Sequence, residues 1–266
     1  MLDRFNRNIT YLRISVTDRC NLRCRYCMPE EGVSLKDHKE ILSFEEITDV
    51  VKTGMKLGIN KIRLTGGEPL VRKDVAALVR MIKAIDGIED IGLTTNGTLL
   101  TKFAEDLWNA GLRRLNISLD TLNKEKYREI TRTDKLDEVL EGIKIAKKLG
   151  FDPIKINFVR IPGVNGEDEN EVKQFCNQHG MNIRFIRQMD LSSGEFYPVE
   201  GGSGGTCRIC NRLRLTADGK IIPCLFSDVG YNIREAGVEE AFFKALNIKP
   251  ESGHISTNHH FYNIGG

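Results

Sequence analysis

"YLRISVTDRCNLRCRYC", Tyr11 to Cys27, carries two signals in one short run. Its first part, Tyr11 to Val16, is a β-branched alternating segment of the kind that forms a strand. Its second part sets Cys20, Cys24 and Cys27 at C-x3-C-x2-C spacing. A structural zinc site closes with four ligands and a disulfide framework uses an even number, so three thiols fit neither. Three cysteines on a four-iron cube leave one iron open, and an open iron can bind a small chelating molecule.

Outward from this run the same strand pattern returns at Lys61 to Thr65, Ile91 to Thr95, Arg113 to Asp120, Pro153 to Val159 and Asn182 to Met189. Between the strands, helical periodicity covers Phe44 to Leu57, Val75 to Lys83, Lys102 to Ala110, Leu136 to Leu149 and Glu169 to His179. Ser43 and Glu46 form a capping box at the first helix, and Gly58, Gly111, Gly150 and Gly180 mark stops. Strand and helix alternation of this length implies right-handed βαβ units around a parallel sheet. Six units suit an α/β partial (β/α)6 barrel, open on one side.

The 266 residues are enough for one large α/β domain, or for a domain with a small appendage. Lys and Arg number 39 against 37 Asp and Glu, so no broad attraction to nucleic acid or membrane is expected and any basic site must be local. The N-terminus lacks the apolar run of a signal peptide, and no stretch approaches a membrane span. Six of the seven cysteines fall in two tight groups, which argues for thiolate ligands in a reducing compartment, expected to be the cytoplasm. Cys176 stands alone, as a half-buried helix thiol.

The second group, Cys207, Cys210 and Cys224, has C-x2-C-x13-C spacing and is again one ligand short of a closed site. His254, His259 or His260 could complete a zinc site; the preferred reading is a second [4Fe–4S] cluster with an open iron. Around it, Leu213 to Thr216 and Lys220 to Ile222 read as two strands of a hairpin with an Asp218-Gly219 turn. "GGSGG" at Gly201 to Gly205 reads equally as a flexible linker, even an engineered scar, or as a glycine-rich turn that lets backbone pass close. Arg212 and Arg214 share one face of their strand. Arg13, Arg63 and Lys155 lie in three different barrel strands, whose inward side chains converge on a shared cavity. Arginine forks bind phosphate oxygens bidentately, so these residues suit a triphosphate.

C-x3-C-x2-C with Tyr26 before its last cysteine, followed by "TGGEPL" (Thr65 to Leu70) at a strand end, resembles the radical SAM superfamily. "CRICNRLRLTADGKIIPCLF" (Cys207 to Phe226) resembles the C-terminal motif of its GTP 3′,8-cyclase family, which begins molybdenum-cofactor biosynthesis. The resemblance runs from Tyr11 to Met189, resumes at Cys207, and takes in "IGG" at Ile264 to Gly266, a tail that reaches the active site in that family.

The resemblance implies two [4Fe–4S] clusters and S-adenosylmethionine (SAM). SAM contacts are implied for Tyr26, Gly66, Gly67, Glu68, Ser118 and Met189. GTP contacts are implied for Arg13, Arg63, Thr94, Lys155, Arg212 and Arg214, with Arg13, Arg212 and Arg214 in catalytic roles. Its implied chemistry uses one electron, from a donor such as flavodoxin or ferredoxin, to split SAM into methionine and a 5′-deoxyadenosyl radical. That radical takes the 3′-hydrogen of GTP, and the ribose radical attacks C8 to give (8S)-3′,8-cyclo-7,8-dihydroguanosine 5′-triphosphate.

Where family members have a longer stretch before the second cluster, this chain has only Asp190 to Thr206, which implies a wider or differently filled pocket. The expected division is a barrel at 1–190 and an auxiliary-cluster region at 191–266, with the family's homodimer as the expected assembly. The rival readings are a radical SAM enzyme acting on a peptide or another nucleotide, and a zinc-stapled binding module without catalysis.

Overall fold

The computed structural model describes residues 1–189, 194, 196–253 and 255–257. Six parallel strands lie side by side in sequence order: β1 (Tyr11–Ser15), β2 (Lys61–Thr65), β3 (Asp90–Thr95), β4 (Arg114–Ser118), β5 (Ile154–Arg160) and β6 (Asn182–Arg187). The connecting helices are α1 (Phe44–Lys56), α2 (Val75–Lys83), α3 (Leu100–Asn109), then the pair α4 (Lys124–Thr131) and α5 (Leu136–Leu149), and α6 (Glu169–Gln178). The sheet is the open barrel expected from the alternation. The capping box forms as expected, with Ser43 Oγ accepting from Glu46 N at 3.1 Å and Glu46 Oε2 accepting from Ser43 N at 2.7 Å. Helix α4 escapes the periodicity reading because its sequence, KEKYREIT, buries only Tyr127, Ile130 and Thr131.

Period-two alternation divides the labour of each strand. In β1, Leu12 and Ile14 are wholly buried toward the helices while Arg13 turns into the barrel; Ile62 and Leu64 flank Arg63 in β2 in the same way. Leu115 and Ile117 alternate with Arg114, Asn116 and Ser118 in β4. The apolar core therefore sits between sheet and helices, and the barrel interior is polar.

The expected C-terminal hairpin is present, but it is no appendage. Its first strand, β7 (Arg212–Leu215), pairs parallel to β1 with Tyr11 opposite Arg212 and Arg13 opposite Arg214. Strand β8 (Lys220–Ile222) returns antiparallel, and β9 (Tyr231–Asn232) follows, giving the order β6-β5-β4-β3-β2-β1-β7-β8-β9. Two helices that the sequence reading did not predict close the described chain, α7 (Ile233–Ala236) and α8 (Val238–Asn247). Phe242 of α8 is fully buried over Gly54 of α1, where an added Cβ would stand 3.1 Å from its ring. Truncating Phe242 to Ala removes about 3–5 kcal/mol on the usual scale for buried aromatics.

The GGSGG stretch is a turn packed against backbone. Phe185 N donates to Glu200 O and Glu200 N to Phe185 O, both at 3.1 Å, so the segment covers the free edge of β6. Val199 N then donates to Gly204 O at 2.8 Å. A Cβ on Gly205, which has φ +76°, would lie 2.0 Å from Tyr197 O; one on Gly201 would lie 2.6 Å from Ile183 O. Among the described residues no helix is long and apolar enough to cross a membrane.

Candidate active site

Parallel strands deliver their C-terminal ends to one mouth of the barrel, and the first cysteine triplet leaves from there. Cys20, Cys24 and Cys27 follow β1 in a loop closed by Cys27 N and Met28 N, both donating to Cys24 O at 2.9 Å. Arg132 braces the loop by donating from Nη1 to Arg23 O at 2.6 Å. Leu22 N points at Cys20 Sγ, 3.4 Å away. Burial pushes all three thiols up, Cys27 to about 12, and neighbouring cysteines add to the effect at Cys24 and Cys27. Three crowded, half-buried thiols of this kind suit a cationic iron–sulfur core that takes them as thiolates.

The glycines after β2 exist for contact with that loop. A Cβ on Gly67 would lie 2.3 Å from Arg19 O, and one on Gly66 would lie 2.7 Å from Thr17 O. The approach is fixed by Gly67 N donating to Thr17 O at 2.9 Å and Glu68 N donating to Arg19 O at 2.8 Å. Glu68, expected to bind SAM, directs its carboxylate elsewhere. Oε1 accepts from Leu70 N at 2.9 Å and Thr95 Oγ1 at 2.7 Å, and Oε2 accepts from Asn96 N at 2.7 Å. Burial raises Glu68 to about 7 against those three donors. It is a strut between the ends of β2 and β3 and does not line the cavity.

Tyr26 is held in the same manner, its hydroxyl donating to Asp120 Oδ2 at 2.9 Å. Asp120 Oδ1 accepts from Val159 N at 2.7 Å, and burial lifts the carboxyl to about 6. Asp120 stands two residues beyond Ser118 and was missed as a support.

The second triplet sits at the opposite mouth. Cys207 and Cys210 precede the start of β7, which is parallel to β1, and Cys224 follows the end of β8, which runs back toward that same end. Arg7 reaches the triplet from the N-terminal segment, donating from Nη1 to Cys207 O at 2.9 Å while Nε bonds Asp3 at 2.6 Å. Burial raises Cys207. Cys210 goes the other way, because the charges of Lys249 and Arg212 outweigh its burial.

One cavity of about 570 Å³ is lined by both triplets. Gly66, Gly67, Tyr26, Ser118 and Met189 line it, as do Arg13, Arg63, Thr94, Arg212 and Arg214. Lys155 does not reach its wall, although the charges of Arg184, Arg114 and Arg63 join burial in lowering it. Arg114, Arg184 and Arg187, which the sequence reading passed over, do line it. Burial lowers Arg13 to about 10 and Arg214 to about 9, and their arginine neighbours push the same way. Tyr11 is drawn below its ordinary value because Arg63 and Arg13 overcome its burial.

Several polar atoms on this wall are buried without a partner: Arg63 Nη1, Arg114 Nε, Arg184 Nε, Thr94 Oγ1 and Asn157 Oδ1. The donors among these, on Arg63, Arg114, Arg184 and Thr94, lie among like charges and fit a polyanionic ligand that is hydrogen-bonded from several sides. Among the described residues no group of three His, Cys, Asp or Glu side chains closes around a single metal ion. A four-iron cube presents irons at separate corners, so its thiolates stand further apart than the ligands of one ion. The histidines of the zinc reading, His254, His259 and His260, and the tail Ile264 to Gly266 lie outside the described residues.

The pattern described as the Radical SAM superfamily matches residues 14–178. The chain is 42% identical to a GTP 3′,8-cyclase of Alkaliphilus oremlandii, covering 98% of this chain and 96% of the relative. It is also 42% identical to a GTP 3′,8-cyclase of Thermodesulfovibrio yellowstonii, over the whole of both. That second alignment runs to 322 positions, so the relative has residues with no counterpart among these 266. In fold the chain is similar to Streptococcus suis SuiB bound to the precursor peptide SuiA, with TM-score 0.68 at 17% identity, over 92% of this chain and 66% of that one. It is likewise similar to anSMEcpe with bound AdoMet, with TM-score 0.65 at 15% identity, over 91% and 81%.

Proposed function

Because the chain belongs to the radical SAM superfamily and, within it, to the GTP 3′,8-cyclase family, we propose that it converts GTP to a 3′,8-cyclised nucleotide, using SAM and two [4Fe–4S] clusters. The observation that carries this reading is the single cavity walled by both cysteine triplets, with arginines between them. The polar mouth at Cys20, Cys24 and Cys27 suits SAM, and the basic interior suits a triphosphate.

When bound, the first cluster supplies the electron that cleaves SAM to the adenosyl radical. The chain's own residues hold and shield the reactants. Gly66 and Gly67 let the turn after β2 lie against the cysteine loop, leaving its backbone to face SAM beside Tyr26, Ser118 and Met189. Asp120 fixes Tyr26. Arg13, Arg63, Arg212 and Arg214 hold the triphosphate and offset its charge; confinement inside the barrel keeps water away from a radical. Cys207, Cys210 and Cys224 would hold the second cluster on the same cavity. The turn at Gly201 to Gly205, tied by Arg212 Nη2 donating to Ser203 O at 2.8 Å, closes this part of the cavity wall. Flavodoxin or ferredoxin is the electron donor we propose.

Anaerobic incubation with SAM, dithionite and GTP, followed by mass analysis, tests the reading. Deoxyadenosine together with a cyclised nucleotide supports it. Deoxyadenosine without a nucleotide product moves the substrate to another class, a peptide first.

A further inference from the structure

Lys249 is 2% exposed, and its ammonium donates to three acceptors: Pro223 O at 2.7 Å, Arg212 O at 2.8 Å and Cys210 Sγ at 3.7 Å. A lysine ammonium has three N–H donors, so all are engaged. Arg212 opens β7 just past Cys210, and Pro223 immediately precedes Cys224, so one side chain ties together the segments that carry two of the three cysteines. The end of α8 delivers it, with Lys249 N donating to Leu246 O at 3.1 Å. The next two carbonyls, of Pro250 and Glu251, accept from Arg7 at 2.6 and 2.9 Å, and that guanidinium also holds Cys207 O. Residues 249–251 thus grip every cysteine segment of the site.

A buried ammonium is expensive unless negative charge faces it. Two of its acceptors are neutral carbonyls. Asp3, whose charge also reaches Lys249, is engaged by Arg7. Cys210 Sγ is the acceptor that becomes charged when the site holds iron.

We propose that Lys249 is a positioning residue for the second cluster: its ammonium is the internal counter-charge that draws Cys210 into place and raises the cluster's reduction potential. The inference rests on the reading that Cys207, Cys210 and Cys224 hold a cluster. Reduction adds negative charge inside a water-poor site, and a fixed cation hydrogen-bonded to a ligating sulfur stabilises the reduced form more than the oxidised one.

The test uses the full chain with Cys20, Cys24 and Cys27 replaced by Ala, so that only the second site takes up iron. Iron content, melting temperature and the midpoint potential are measured anaerobically for this parent, for Lys249→Met and for Lys249→Arg. The parent and Lys249→Arg are expected to hold about four irons. Lys249→Met is expected to weaken the reduction equilibrium at least tenfold, a shift of about 59 mV to more negative potential, or to lose iron that Lys249→Arg retains while melting near the parent. Equal midpoints in the parent and Lys249→Met overturn the proposal, and so does equal iron loss in both variants. A parent that binds no iron overturns the cluster reading itself, and this inference with it.

Discussion

Arg63 lies where Gly92 has no side chain: a Cβ on Gly92 would stand 2.0 Å from Arg63 Nη1 and 2.4 Å from its Cζ. The two residues are register partners on β2 and β3, so the guanidinium folds across the neighbouring strand into a gap kept by the missing side chain. Gly92→Ala is expected to displace the guanidinium and reduce GTP affinity at least tenfold, roughly the loss of one charge-assisted hydrogen bond. SAM affinity and iron content should hold. Calorimetric titration of both ligands reads the split, and an equal loss for SAM would refute the assignment of Arg63 to the nucleotide side.

Gly67 meets backbone, which cannot swing aside as a side chain can. Gly67→Ala places a methyl 2.3 Å from Arg19 O and must push the turn off the cysteine loop. Iron should fall from about eight per chain to about four, with deoxyadenosine formation lost. The expected destabilisation is about 2–3 kcal/mol. Full iron loading with normal SAM cleavage would show that the contact is dispensable.

Arg13, half-buried, and Arg214, buried, are register partners on β1 and β7, and after burial itself the charge of Arg13 is the chief influence lowering Arg214. On the proposed function, a bound triphosphate relieves this crowding. Arg214→Met is therefore expected to raise the melting temperature of the GTP-free protein and to abolish the further rise that GTP gives the parent. A variant that melts lower without GTP would mean that the pair stabilises the fold.

Much of this architecture is legible because its signals are local. Leu12 and Ile14 alternating with Arg13 specify a strand with one apolar and one polar face, and the two cysteine triplets mark two candidate cluster sites. Partners far apart in the chain leave no such trace. The parallel pairing of β7 with β1 joins residues some 200 positions apart, as in the bond of Arg7 to Cys207 at a separation of 200. Arg114 and Arg184 read singly as surface charges; only register places them inward, opposite Gly92 and Asn157. Lys155, chosen on the same reasoning as Arg63, does not line the cavity, although its register partner Asn116 does. Glu68 belongs to a recognisable motif, yet its carboxylate turns to Leu70, Thr95 and Asn96, which spacing alone could not reveal.

Glu68 also makes stability depend on pH with a definite sign. Its carboxyl titrates at about 7 in the folded chain against an ordinary 4.5, because burial opposes the charged form. Between those values the folded state holds a proton that the unfolded state has released. Its contribution is fully present below 4.5 and is lost as pH rises through about 7. Asp120, lifted from 3.8 to about 6, acts in the same direction over a lower window. Glu68→Gln keeps the shape and removes the titration. The stability of the parent relative to this variant is therefore expected to fall as pH rises from about 4.5 to about 7 and to level off above that, as measured by urea unfolding under anaerobic conditions. The slope in the variant should be shallower, keeping only the share that belongs to Asp120. Parallel pH profiles for parent and variant would mean that Glu68 is ionised throughout this range, its three donors outweighing its burial.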